Sequence, residues 1–389
     1  MDTLQWLVKL IAFNTISTNS NRPLIKEIDK WFKLHDIKTK IIPGLTPPKA
    51  NLFATIPASN GSIEGGILFT GHTDVVPVAG QMWNTDPFIA TEHEGKIYGR
   101  GACDMKGFIA VLLALVPELQ KLKLLKPIHF SFTCDEEIGC IGVDYVIDYF
   151  QKKGIHPEGC MVGEPSSMRP IIGEKGRRLY HCQVQGKAVH SSLASVGCNA
   201  IVYASRLIDY INTLAMYVEK NGPFDNDFDF PFTTITTNLV SGGTATNIIP
   251  GTCEFVLELR YIDQFLLENF RSQIENYINH ELVPEMRETY LEAAIYFDET
   301  SDSAGFNTVE KSSIVRIVRA VTGVKERYKV SYTTEAGVFQ NFRIPTVICG
   351  PGDIKQAHSA NEFITLEQLN LCEKVVRNVI TFFCQNLSD

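Results

Sequence analysis

The sequence predicts an α/β fold, a helix-flanked mixed sheet into which a smaller α+β domain of ferredoxin-like order is inserted. Three observations lead there. Through residues 1–179, short apolar strands alternate with helical stretches. Across residues 180–297 the order changes to β-α-β-β-α-β, the split-βαβ plan. Residues 298–389 return to the first style but supply only a lone helix, strand and helix, which complete the first sheet more readily than they make a domain.

In the first part, Leu4–Ile11 and Leu24–Leu34 have helical spacing, with Asn21 and Pro23 near the start of the second helix. Lys38–Ile42 and Asn51–Ile56 read as strands joined by the turn-rich Pro43–Lys49. Ile67–Gly71 is a glycine-bounded apolar run, the pattern of a buried strand, and it ends in His72-Thr73-Asp74. Met105–Gln120 is an apolar helix. Ile128–Cys134 is a strand running into Asp135-Glu136-Glu137, Val143–Gln151 is a helix, and Cys160–Gly163 is a strand running into Glu164-Pro165.

In the insert, Leu179–Lys187 alternates, Asn199–Val218 is helical, and Phe232–Val240 and Cys253–Tyr261 are strands. Phe265–Ile278 is helical and Leu291–Phe297 is a last strand. In the third part Val309–Val321 is a helix, Val338–Asn341 is too short to assign, Ile344–Cys349 is a strand, and Leu366–Phe383 is a terminal helix.

Composition narrows the function. Of 389 residues, 44% are apolar and 21% charged, as in an ordinary globular protein. A net charge of -8 without any long Lys/Arg block argues against nucleic acid as a partner. No run reaches membrane-spanning length, and Leu4–Phe13 lacks the flanks of a secretory signal, so the cytoplasm is the expected location. Ten cysteines without CxxC pairing read as free, partly buried thiols. Neither nucleotide fingerprint occurs in proper context, and there is no GxSxG elbow.

Five polar intervals fall near strand ends or turns: His72-Thr73-Asp74, Asp104 in GRGACDMKG, Asp135-Glu136-Glu137, Glu164 in GEPSS, and His358 in QAHSANE. Taken singly, Asp104 and Glu164 read as turn carboxylates. Gathered on one sheet edge, the five would concentrate negative charge that a cation must neutralise. Imidazole plus carboxylate suits Zn, Co or Mn better than Ca or Mg, and one bridging carboxylate lets this set hold two ions. Adjacent Glu136 and Glu137 diverge if extended, so they must lie in a turn, which allows one to be a ligand and the other a base. Cys103 and Cys134 read as buried thiols, the former a point of oxidation sensitivity.

The motifs GHTDVVP (71–77), GRGACDMKG (99–107), DEEIG (135–139), GEPSSMRPIIGEKG (163–176), SGGTATNIIP (241–250) and GPGDIKQAHSANEF (350–363) run nearly the whole chain in one order. With them the chain resembles the M20 family of co-catalytic metallopeptidases and deacylases. The resemblance implies a zinc-peptidase-like catalytic domain with an inserted lid that forms a homodimer. It assigns His72 and Glu164 to one metal ion, Glu137 and His358 to the other, and Asp104 to both, the ions being Zn2+ or Co2+. It makes Asp74 the group that orients His72, Glu136 the general base and the lid residue His190 an oxyanion donor. Asn247 and Arg260 would bind substrate, the arginine at an α-carboxylate. By residues alone His190 reads as an exposed strand end and Arg260 as a rim ion pair. The stretch 163–176 and the TEAG run 334–337 look most like the branch acting on N2-acetyl-L-ornithine. Hydrolysis of that amide is the expected reaction. Succinyl-diaminopimelate or a dipeptide is the alternative substrate, and a non-catalytic metal-binding protein the alternative class.

Overall fold

A computed structural model describes residues 1–45 and 48–385, together with all side chains of those residues except that of Phe265. Residues 46 and 47, inside the expected Pro43–Lys49 connector, lie outside the described residues. The chain divides into two compact units. The first comprises Met1–Gly173, Phe306–Lys329 and the chain from Thr334 onward; the second comprises Glu174–Gly305 and Val330–Thr333.

The first unit is built on a nine-stranded mixed sheet. Along it stand Thr39–Pro43, Ala50–Ile56, Ile128–Thr133, Ile67–His72, Gly159–Pro165, Thr346–Gly350, Ile171–Glu174 and Phe306–Asn307, with Tyr328–Val330 paired to Ile171–Glu174. The Ile67–His72 strand runs parallel to both of its neighbours, and Thr346–Gly350 runs parallel to Gly159–Pro165. The Ile67–His72 and Ile128–Thr133 strands are buried at every position. That is why the first opens as an unbroken apolar run, Ile67–Phe69: a central strand parallel to both neighbours is covered on both faces.

Strand alternation divides the packing. Leu52, Ala54 and Ile56 face a core shared with helices Thr3–Ile11, Arg22–Leu34, Gly107–Leu119, Ser313–Thr322 and Leu366–Ile380. Phe53, between them, packs on Phe150 of the Ile141–Lys153 helix, ring centroids 5.0 Å apart. Asp2 and Gln5 form a reciprocal cap on the first helix. Asn21 precedes the second helix as expected but does not cap it. Its amide exchanges bonds with the Ala50 backbone and donates to Thr73 Oγ1 at 2.8 Å, so it braces the strand ends instead.

The second unit carries a four-stranded antiparallel sheet in the order Thr234–Gly242, Thr252–Tyr261, Gly176–Gln185, Ala294–Ser303. Helices Ala200–Asn221 and Gln264–Tyr277 complete the split-βαβ plan. Gly176–Gln185 alternates buried and half-buried residues throughout, and Tyr180, Cys182 and Val184 face Leu207, Ile211, Leu267 and Ile274 in one core. A two-stranded ribbon pairs Val189–His190 with Ile248–Ile249.

Several short elements carry too little periodicity to be read from sequence. They are the sheet of Thr91–His93, Lys96–Tyr98 and Phe363–Thr365, and the helix Ala336–Asn341. The helix expected from Met105 begins at Gly107, because Asp104 and Met105 have non-helical backbone angles and are joined by a cis peptide. No described helix is long and apolar enough to cross a membrane.

Candidate metal centre

The five expected ligands meet at the carboxyl ends of the parallel strands, where α/β sheets place their sites. His72 ends the Ile67–His72 strand, Glu164 lies near the end of Gly159–Pro165, and Glu136 and Glu137 occupy the turn after Ile128–Thr133. Asp104 follows Gly101, whose φ of 82° is a left-handed conformation natural to glycine. His358 follows the short helical turn Ile354–Gln356 and is 54% exposed at its side chain, making it the most open of the set.

Asp104 stands at the centre. Its Oδ1 is 2.9 Å from His72 Nε2 and its Oδ2 is 3.2 Å from His358 Nε2. Glu137 Oε2 is 3.0 Å from the same His358 nitrogen, and Glu164 Oε1 is 3.6 Å from His72 Nε2. Ligand atoms of His72, Glu136 and Glu164 lie within 4.8 Å of one another, as do those of His72, Asp104 and Glu137.

Asp74 differs from expectation in how it orients His72. His72 Nδ1 donates to the Asp74 main-chain carbonyl at 2.9 Å, which leaves Nε2 as the lone-pair nitrogen facing Asp104 and Glu164. The Asp74 carboxylate is taken by other donors: Ser17 Oγ at 2.7 Å, Glu136 N at 3.2 Å and Glu137 N at 3.3 Å. It therefore fixes the backbone of the two glutamates. The reason is the turn after His72, which puts the carbonyl rather than the side chain against the ring.

The electrostatics suit a bound cation. Five carboxylates, of Asp74, Asp104, Glu136, Glu137 and Glu164, and two imidazoles share this edge. Burial pushes Glu136 up to about 8, and the charges of Glu137, Asp104 and Asp74 add to it against the pull of His72. Burial and then Asp104 raise Glu164 well above the carboxylate range, and Glu137 is raised by the same causes. Burial opposes charge on His72, but its bond to Asp104 and the charges of Asp104 and Glu164 raise it well above an ordinary imidazole. Bonds to Asp104 and Glu137 raise His358 to about 10. Glu164 Oε1 is buried without a hydrogen-bond partner. An acceptor in that state costs free energy that a bound cation removes. The nitrogen and oxygen donors fit Zn, Co or Mn. Cys103 and Cys134 stay out of the set: Cys103 Sγ turns to Asp353 O and Gln356 Oε1 at 3.5 and 3.6 Å. Burial raises both thiols, Cys134 to about 12, so Cys103 is not the oxidation-prone thiolate expected.

In the second unit His190 is exposed, and its Nδ1 accepts from Ser192 N at 3.2 Å, so Nε2 carries the proton. Asn247 lies beside it, its carbonyl accepting from Ser191 N at 2.9 Å. Arg260 is not brought to them. It sits near the far end of Thr252–Tyr261, with Nε on Glu258 at 2.9 Å and Nη1 on Thr333 Oγ1 at 3.3 Å.

Sequence reasoning missed four buried charged groups around the centre. Glu335, before the Ala336–Asn341 helix, accepts from Thr70 Oγ1 at 2.5 Å and Thr133 Oγ1 at 2.7 Å. Lys49 bonds Asp135 and the Ser17 carbonyl. Arg100 and Glu362 pair at 2.8 Å with side chains 1% exposed. Three of the four, Glu335, Arg100 and Glu362, lie inside motifs already singled out, and a charge inside such a motif without an assigned task is the signal that finds them.

A mixed sheet whose carboxyl edge gathers one buried and one exposed imidazole with carboxylates in this way is that of a metal-dependent amidohydrolase. The profile of peptidase family M20/M25/M40 matches residues 68–381, and the chain belongs to that family. It is 34% identical over 381 residues to the acetylornithine deacetylase of Myxococcus xanthus, covering 97% of this chain and 96% of that protein. A tripeptidase structure from Staphylococcus aureus superposes with a TM-score of 0.80 at 20% identity, covering 99% of this chain and 98% of the other. A dinuclear metal-binding M20 peptidase from Bacillus subtilis superposes with a TM-score of 0.68 at 14% identity, covering 99% and 98%.

Proposed function

We propose that this chain hydrolyses the amide of N2-acetyl-L-ornithine to L-ornithine and acetate, a step of arginine biosynthesis, using two divalent ions, Zn2+ or Co2+. The observation that carries the chemistry is Glu136, half-buried beside Glu137, within one ligand cluster. The near full-length similarity to an acetylornithine deacetylase supports the substrate. His72 and Glu164 would hold one ion, Glu137 and His358 the other, with Asp104 between them. Bound there, the ions supply Lewis-acid polarisation of the acyl carbonyl and a more acidic water.

The chain's own residues do the rest. Glu136, whose described side-chain partner is the Cys140 thiol at 3.4 Å, takes the proton of the attacking water and gives it to the departing amine nitrogen. Its raised pKa suits a group that must both accept and release a proton near neutrality. His190 offers Nε2–H to the tetrahedral oxyanion. Asn247 and Arg260 bind substrate, Arg260 through its guanidinium at the α-carboxylate.

A homodimer through the second unit belongs to this reading. The Thr234–Gly242 strand is a sheet edge that exposes Leu239 and Val240 at 67% and 65%, and a second copy would cover it. The ten free, buried cysteines favour the cytoplasm. The deciding experiment is metal analysis of the purified protein paired with product assay on N2-acetylornithine, succinyl-diaminopimelate and a dipeptide. Two bound ions and highest kcat/KM on N2-acetylornithine are expected. Preference for either other substrate overturns the substrate, and bound metal without turnover on all three overturns the enzyme.

A further inference from the structure

Three segments that carry or adjoin the proposed ligands meet at a buried ion pair with no task in the reaction. Glu362 lies four residues after His358 and is 1% exposed. Its Oε1 accepts from the main-chain N–H groups of Cys103 at 2.9 Å and Asp104 at 3.0 Å. Its Oε2 accepts from Gly101 N at 3.0 Å and Arg100 Nη1 at 2.8 Å. The Glu362 carbonyl accepts from Gly99 N at 2.9 Å. One residue thus gathers donors from most of the turn that ends in Asp104.

Arg100 extends the clasp outward. Its Nη1 reaches the Ser359 carbonyl at 3.3 Å, and its Nη2 reaches Gln81 Oε1 at 2.5 Å and the Pro77 carbonyl at 3.4 Å. Gln81 Nε2 donates to the His358 carbonyl at 2.8 Å. The loop after Asp74, the turn before Asp104 and the loop of His358 are therefore tied to one carboxylate and one guanidinium.

The geometry of Asp104 shows what such a tie is for. Asp104 must aim one oxygen at His72 and the other at His358, and a displaced backbone cannot serve both. We infer that Glu362, through Arg100 and the Gly101–Asp104 amides, is a positioning residue that sets the shared carboxylate and couples the two ion sites. This rests on the two-ion reading above. Glu362 belongs to the His358 loop, whereas His72 and Glu164 are fixed in strands that the clasp does not touch. Loosening it therefore weakens the Glu137–His358 site selectively. In Glu362→Gln one oxygen becomes an NH2 facing N–H donors, so the turn loses anchors while the side-chain volume stays.

The test is titration of the metal-stripped full chain with Co2+, followed by calorimetry, visible absorption and electron paramagnetic resonance. Wild type is expected to take two ions that are magnetically coupled. Glu362→Gln keeps the first ion within about threefold and binds the second about 10–100-fold more weakly, the usual range for a lost partner of a ligand, with the coupling signature gone. Glu362→Asp, which keeps the charge, recovers part of the second-site affinity. Gln81→Ala, at the rim of the network, covers the case in which Glu362→Gln does not fold, and shows the same selective loss at about threefold. Equal weakening of both ions, or Glu362→Gln and Gln81→Ala both binding as wild type does, overturns the inference. If wild type itself takes fewer than two ions, the two-ion reading fails first and the inference falls with it.

Discussion

Two histidines in neighbouring strands of one sheet have opposite fates. His72 ends its strand, and His129 is the second residue of the parallel strand beside it, in register with Leu68. Four residues of strand, about 13 Å, separate them along the sheet. Both are buried, at 1% and 0% exposure. His129 Nε2 faces the Gly65 carbonyl at 3.0 Å and so carries the proton, leaving Nδ1 to accept from Thr55 Oγ1 at 2.9 Å. Its bonded partners are neutral, Phe53 stacks on its ring, and burial pushes it down to about 4. His72 has the same burial but faces Asp104 and Glu164, and it is pushed up. Burial does not mark the site. Uncompensated negative charge among the partners does, and it collects at the carboxyl edge of the sheet.

The contrast breaks most severely if the carboxyl edge works without its ions. Stripping the protein with a chelator is expected to abolish amide hydrolysis, to lower the melting temperature and to be reversed by Zn2+ or Co2+. Next in size is the base. Glu136→Ala should lower kcat by about 10^2–10^4-fold while metal content stays at the wild-type level. A fully active variant would remove Glu136 from the reaction and leave the edge a binding site only. Asp74→Asn comes third. It keeps one acceptor oxygen but turns an NH2 toward the Glu136 and Glu137 amides, and metal affinity should fall about 10–100-fold by chelator competition. Unchanged affinity would mean that the Asp74 carbonyl alone orients the centre.

The two ends of the sheet were also unequally legible. His72, Asp104, Glu137, Glu164 and His358 could be read because each lies at or near the end of an apolar element, where a polar interval needs a reason. His129 could be read as a satisfied interior imidazole because it interrupts an apolar strand. Glu362 and Arg100 stand out only as untasked charges inside motifs; their pairing could not be read, since their bond spans some 260 positions. The role of the Asp74 carbonyl was hidden for another reason. It depends on how the backbone turns after a strand, and side-chain pattern does not encode that. In the second unit the period of two along Gly176–Gln185 and Thr252–Tyr261 declared the sheet, but nothing in that period says which end Arg260 occupies relative to His190.

The smallest effect on turnover, and the sharpest test of the contrast, comes from His129. Its folded pKa of about 4 lies below the ordinary imidazole value of 6.5. The unfolded chain therefore binds the proton first, and stability must rise with pH between those values. The contribution is fully present above about 6.5 and lost as pH falls through about 4, roughly 3 kcal/mol in all at about 1.4 kcal/mol per unit. His129→Gln removes the titration while keeping one donor and one acceptor. In urea unfolding from pH 7.5 down to 5, wild type should lose stability relative to this variant, with the difference flat above pH 7 and growing below 6. Acid loss of metal affects both proteins and cancels in the difference. A gap independent of pH would show that His129 is not held neutral by its burial. The imidazole at the amino end would then differ from His72 in degree rather than in kind.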